Sequence, residues 1–174
     1  MSISNIIPLI SAEEIQNICK HLGEILTETY ADKNPLVIGV LKGSQPFLSD
    51  ISRNMDIPLE ITYLKVHSYQ GVHSTGNFEL QLDTDISLEN REVILIEDIV
   101  DTANTMTHLL ALLNTRNPKS IKVVTLLDKP SRRKYSFIPD YVGKEIDDYF
   151  VVGYGLDYNE QYRNLPYVGI LELE

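Results

Sequence analysis

Among 174 residues this chain has a single cysteine, Cys19. One thiol excludes a disulfide framework and a thiolate metal site, and Cys19 falls on the apolar stripe of an expected helix, where it reads as a small buried hydrophobe. Long apolar runs are also missing. None approaches the ~20 residues that span a bilayer, and the N-terminal region does not resemble a secretory signal, so the expectation is a soluble cytoplasmic protein with no membrane partner. Positive charge is scarce: 15 Lys and Arg stand against 25 Asp and Glu, for a net charge of −10. That balance opposes general nucleic-acid binding, so an anionic ligand must be held by local donors. The four histidines share no spacing that suggests a metal site or a triad, and read as structural or surface residues.

What remains is ordinary globular composition, 43% hydrophobic and 23% charged, with no repeat or low-complexity tract. The length fits one domain, 1–174. Ser11-Ala12-Glu13-Glu14 has the form of a capping box ahead of Ile15, Ile18, Cys19, Leu22, Ile25 and Leu26, which recur at helical intervals. Pro35 to Leu41 reads as a buried strand, broken by Lys42-Gly43-Ser44-Gln45-Pro46 before a second helix. Leu59 to Tyr69 and the alternating Phe78, Leu80 and Leu82 read as an antiparallel hairpin with a long tip, a mobile loop at about 68–78. Ile121 to Leu127, Tyr149 to Val152 and Val168 to Leu171 supply further strands. Alternating strands and helices predict an α/β fold, a central parallel sheet flanked by helices.

The richest stretch runs from Val93 to Thr105. Val93-Ile94-Leu95-Ile96 lacks polar alternation, as a central parallel strand covered on both faces does. It passes directly into Glu97, Asp98 and then Asp101. Past Asp101 come Thr102, Ala103, Asn104 and Thr105, and Met106, Leu109, Leu110 and Leu113 then recur at helical spacing, so strand turns into helix. Free amides at a helix start favour an anion, with the Thr102 and Thr105 hydroxyls as extra donors. Glu97 and Asp98 suit the hydroxyls of a ribose, or a metal on those hydroxyls. A capped strand-to-helix turn explains one acid here but not three acids in five residues.

This stretch resembles the phosphoribosyl pyrophosphate (PRPP) signature of the type I phosphoribosyltransferases. Two positions depart from the commonest form: Ala103 stands where Gly is usual, and Asn104 where Lys or Leu often stands. The methyl of Ala103 is unstrained only at negative φ. A second match, Tyr149 to Arg163, narrows the resemblance to the hypoxanthine and guanine branch of that family. The resemblance implies the type I phosphoribosyltransferase fold, with a small hood at about 140–174 and transfer of a 5-phosphoribosyl group from PRPP to N9 of a 6-oxopurine. It further implies a Mg2+ cofactor and a homo-oligomer, dimer or tetramer.

The resemblance also distributes roles. Lys42 and Gly43 match the pyrophosphate loop, where the family often has a non-proline cis peptide, here at Leu41-Lys42, and Arg163 matches the pyrophosphate clamp. Thr102, Ala103, Asn104 and Thr105 match the phosphate loop. Glu97, Asp98 and Asp157 would hold magnesium, and Asp101 is the candidate general base at purine N7. Phe150 offers the purine a flat face and Val151 a backbone hydrogen bond. Lys129, at the carboxyl end of its strand, would donate to the 6-oxo group and reject a 6-amino group. Ser68 and Tyr69 match the loop that closes over the reacting centre. Arg132, Arg133 and Lys134 read as a solvated basic face. The alternatives are a xanthine or pyrimidine substrate, and a PRPP-sensing regulator without activity, which the net charge disfavours.

Overall fold

Val93, Ile94, Leu95 and Ile96 lose all solvent exposure at the centre of a six-stranded sheet. Alternate side chains of this strand face two different cores, which is why the sequence shows no polar alternation there. Ile94 and Ile96 pack with Ile15, Leu22 and Leu26 of helix α1 (Ala12–Thr29) and with Phe47, Leu48 and Ile51 of helix α2 (Gln45–Arg53). Val93 and Leu95 pack with Met106, Leu109 and Leu113 of helix α3 (Asn104–Asn114). Full burial of each such side chain contributes about 1.5–3 kcal/mol.

The structure, a computed structural model, describes residues 6–68 and 78–172. In chain order the strands are β1 (Ile6–Ile10), β2 (Leu36–Leu41), β3 (Glu60–Ser68), β4 (Phe78–Leu82), β5 (Glu92–Val100), β6 (Ser120–Asp128), β7 (Tyr141–Glu145), β8 (Val151–Val152) and β9 (Val168–Leu171). The main sheet runs β4-β3-β2-β5-β6-β7. All its pairings are parallel except β3 with β4, the expected hairpin. Residues 69–77, including Tyr69 and most of the expected closing loop, lie outside the described residues.

Ser11 caps α1 as its sequence predicts, its Oγ accepting from the Glu14 amide at 3.1 Å. The Glu14 carboxylate pairs with Lys144 of β7, which ties the helix to the edge of the sheet. The stretches Tyr149 to Val152 and Val168 to Leu171 do not extend the parallel sheet. They form β8 and β9 of a separate three-stranded sheet, ordered β1-β9-β8, in which every pairing is antiparallel. Ile6, Val152 and Leu171 form its small core with Tyr158, Tyr162 and Tyr167 packed against them. No helix among the described residues is long and apolar enough to cross a membrane.

Candidate active site

The carboxyl ends of β2, β5 and β6 come together at one edge of the main sheet, where open parallel sheets place their ligands. β5 delivers Glu97 and Asp98 there. Glu97 is 8% exposed and Asp98 is half-buried. Burial, reinforced by the charge of Asp98, pushes the Glu97 carboxyl well above its usual range, and burial also raises that of Asp98. Two adjacent desolvated carboxylates favour any partner that supplies positive charge. Among the described residues no group of three or more His, Cys, Asp or Glu side chains gathers as a preformed cage. The donor set is therefore two hard oxygen ligands, which fits magnesium completed by water and substrate oxygens.

Beyond Val100 the chain bends through Asp101 and Thr102, and α3 starts at Asn104. Ala103 occupies the N-cap position at φ 65, in the left-handed region, and contributes no side-chain cap. Of the two cases the sequence left open, the strained one holds: the turn adopts the backbone that glycine prefers, and the Ala methyl is accommodated at a cost. Thr102 Oγ1 accepts from the Asn104 amide at 3.3 Å. A hollow of about 110 Å³, lined by residues from Glu97 to Met106, opens above the first amides of α3. Those amides have no carbonyl partner within the helix.

Asp101 projects from this loop, its carboxylate accepting from Arg132 Nε at 3.1 Å. Arg132 also reaches Asp148, so it bridges two acids at the surface. Arg133, expected on a solvated face, is instead largely buried behind the phosphate loop. Its guanidinium donates to the carbonyls of Val100, Asp101 and Phe137 and pairs with Asp128. Four acceptors converging on one planar cation outweigh its desolvation. The amides of Lys134 and Tyr135 bond the Thr102 carbonyl and complete the support.

On the neighbouring strand, β2 ends in a cis peptide between Leu41 and Lys42, the bond the sequence alone left undecided. Gly43 follows so close to β5 that a Cβ there would lie 1.6 Å from Asp98 Oδ2. Gly155, at φ 97, meets the same loop from the other side, and a Cβ on it would lie 2.0 Å from the Gly43 carbonyl oxygen. Arg163 folds back over this turn, donating from Nη1 to the Gly155 carbonyl at 2.7 Å and pairing with Asp157 at 2.9 Å. Its Nε is buried and has no hydrogen-bond partner among the described residues, an orphaned cationic donor. Asp157 also accepts from the Glu160 amide at 2.9 Å. The structure groups it with Arg163, not with Glu97 and Asp98.

Lys129 follows β6 and is 6% exposed, with its amide bonded to the Val100 carbonyl and its ammonium donating to the Tyr149 carbonyl at 2.5 Å. The same ammonium faces the Asp148 carboxylate at 4.0 Å. Phe150 is exposed, with its ring edge-on to Tyr158 at 5.7 Å between centroids. Val151 is buried in β8. Ser68 ends β3.

Sequence reasoning missed two features. Glu160 links Lys42 to its own near neighbour Arg163, and Asp50 of α2 anchors Tyr154; the Glu160–Lys42 and Asp50–Tyr154 contacts join distant parts of the chain, so no local spacing marks them.

Comparison with known proteins gives a concordant result. Residues 11–159 match the phosphoribosyl transferase domain. A hypoxanthine-guanine phosphoribosyltransferase of Bacillus subtilis is 51% identical over 165 residues, covering 94% of this chain and 92% of the relative. The crystal structure of a hypoxanthine phosphoribosyltransferase from Staphylococcus aureus superposes with a TM-score of 0.94 at 47% identity, covering 97% of this chain and 93% of that one. The Trypanosoma cruzi hypoxanthine phosphoribosyltransferase in complex with the product IMP gives 0.89 at 40% identity, covering 95% and 93%. With likeness of this extent in both sequence and backbone, the chain belongs to the phosphoribosyl transferase family.

Proposed function

We propose that this protein transfers the 5-phosphoribosyl group of PRPP to N9 of hypoxanthine or guanine, giving IMP or GMP and pyrophosphate. The observation that carries the reading is the raised carboxylate pair, Glu97 lining the hollow that runs to the start of α3 and Asp98 next to it in β5. An acid pair that favours cations, beside amides that favour anions, is complementary to the diol and the phosphate of one phosphorylated sugar.

In this reading the 5-phosphate sits on residues 102–105, and Glu97 and Asp98 face the ribose hydroxyls. The same two carboxylates would hold magnesium, with Asp157 reaching it through a bound water, and the ion would neutralise charge on the leaving pyrophosphate. Lys42 and Arg163 bind that group, and the orphaned Nε of Arg163 gains an acceptor from it. As the bond from C1′ to pyrophosphate oxygen breaks and that from C1′ to N9 forms, Asp101 takes the proton from N7. Phe150 covers the purine face, the Val151 backbone meets the ring edge, and Lys129 donates to the 6-oxo oxygen. Ser68 and Tyr69 close over the centre and exclude water.

Initial rates with PRPP and each of hypoxanthine, guanine, xanthine and adenine test the reading. Turnover of hypoxanthine or guanine is expected, with adenine inert; pyrophosphate release with none of these bases would sink it. The reading includes a cytoplasmic homo-oligomer of two or four chains, which light scattering on the purified protein checks.

A further inference from the structure

Asp50 lies on α2, on a different element from every residue assigned a role above, and its side chain is only 15% exposed. Its Oδ2 accepts from the Tyr154 hydroxyl at 2.6 Å and from Gln16 Nε2 of α1 at 2.8 Å, while Oδ1 pairs with Arg53. The Tyr154 ring is buried, and its hydroxyl also approaches Cys19 Sγ at 3.7 Å and the Pro46 carbonyl at 3.4 Å. Burial, with Asp50 adding to it, pushes the pKa of this hydroxyl far above its usual range, so it stays a proton donor.

Core packing alone does not call for this arrangement. Tyr154 adopts φ 47, a left-handed conformation that strains an aromatic residue, and a Phe would fill the same volume without a buried hydroxyl. What the strained tyrosine does is hold the turn on either side of it. Gly155, the next residue, donates its amide to the Arg163 carbonyl at 3.0 Å and accepts from Arg163 Nη1 at 2.7 Å. It also rests directly on the Gly43 carbonyl. Fixing Tyr154 therefore fixes both the guanidinium and the loop that face the pyrophosphate.

We propose that Asp50 is a positioning residue for the pyrophosphate half of the site, acting through the Tyr154 hydroxyl to set Gly155, Arg163 and the Lys42–Gly43 loop. This rests on the phosphoribosyl transfer reading. The purine half is held by other contacts, so the two halves respond differently when the bond is lost.

The test measures both Michaelis constants and the thermal midpoint for wild type, Tyr154→Phe, Asp50→Ala and Asp50→Asn. Tyr154→Phe and Asp50→Ala are expected to raise the KM for PRPP roughly tenfold, the scale of one hydrogen bond to a charged group, with the KM for hypoxanthine changed by less than about twofold. Asn keeps an oxygen acceptor for the hydroxyl, so Asp50→Asn restores most of the PRPP affinity. The double variant Tyr154→Phe/Asp50→Ala should be no worse than Asp50→Ala alone, because Asp50→Ala already removes the bond to the hydroxyl. An unchanged KM for PRPP in Tyr154→Phe, a parallel rise for both substrates, or an Asn variant as impaired as the Ala variant would each overturn the proposal. A wild-type chain that releases no pyrophosphate from PRPP and hypoxanthine would instead overturn the functional reading.

Discussion

Glu160 accepts a hydrogen bond from the Lys42 ammonium at 2.7 Å, across 118 positions of the chain. Its other carboxylate oxygen lies 3.3 Å from Arg163. One exposed acid thus engages both cations proposed to bind pyrophosphate, and those cations, Lys42 first, hold its carboxyl below the usual range. An incoming pyrophosphate must displace it. Glu160→Gln, which keeps the shape and removes the charge, is expected to tighten pyrophosphate and PRPP binding about two- to fivefold, a scale set by solvent screening of exposed pairs. Isothermal titration with pyrophosphate reads this directly, and weaker binding would mean that Glu160 orients the cations rather than competing for them.

Asp101→Asn should lower kcat about 10²- to 10⁴-fold, the usual contribution of a general base, while leaving the KM for PRPP nearly unchanged. The amide still accepts from Arg132 but takes no proton from purine N7. Wild-type turnover across neutral pH in this variant would remove Asp101 from the base role.

Glu97 carries a pH signature whose sign follows from its raised carboxyl. Between the ordinary carboxylate range and that raised value the folded state binds more protons than the unfolded chain, so stability falls as pH rises through this window. Cation and ribose binding run the other way, since both need the ionised form. The KM for PRPP should therefore begin to rise, on acidification, at a higher pH than an unperturbed carboxylate would give. Glu97→Gln is expected to flatten that limb, raise the thermal midpoint, and raise the KM for PRPP at neutral pH about tenfold or more. A midpoint that drops instead would show that the ionised acid is not a burden on the fold.

Ala103→Gly relieves the left-handed strain at the N-cap of α3. Set against the extra freedom that Gly brings to the unfolded chain, the net gain is up to about 1 kcal/mol, or ~2 to 4 °C in thermal midpoint. Differential scanning calorimetry decides it; a lower midpoint would mean that the packing of the buried methyl outweighs the backbone cost.

Lys129→Met retains most of the stem and deletes the donor. Hypoxanthine and guanine should lose about 1 to 3 kcal/mol of transition-state stabilisation in kcat/KM, and adenine should gain little. Equal activity of variant and wild type on hypoxanthine would refute the contact with the 6-oxo group.

The centre of this fold is written plainly in its residues, and its margins are not. Val93 to Ile96 announce a doubly covered strand by apolar continuity alone, and Ser11 with Glu14 marks the start of α1. β7 eludes such reading because Tyr141-Val142-Gly143-Lys144-Glu145 is half-buried and polar, and is a strand only through its pairing with β6. β8 and β9 look locally like any other short apolar strand; their separate antiparallel sheet depends on pairing with each other and with β1. At the site the acids of β5 are legible because carboxylates at the end of a greasy strand lack a structural excuse. Arg133 misleads because a run of basic residues does not reveal that carbonyls of a distant loop converge on one of them.

The contact of Gly155 on Gly43, and of Gly43 on Asp98, leaves no space for a single methyl group at either glycine. Three chain segments are thus stacked backbone to side chain like tightly shimmed plates. Any sequence drift that retunes affinity for the leaving group has to occur around these two positions and never at them.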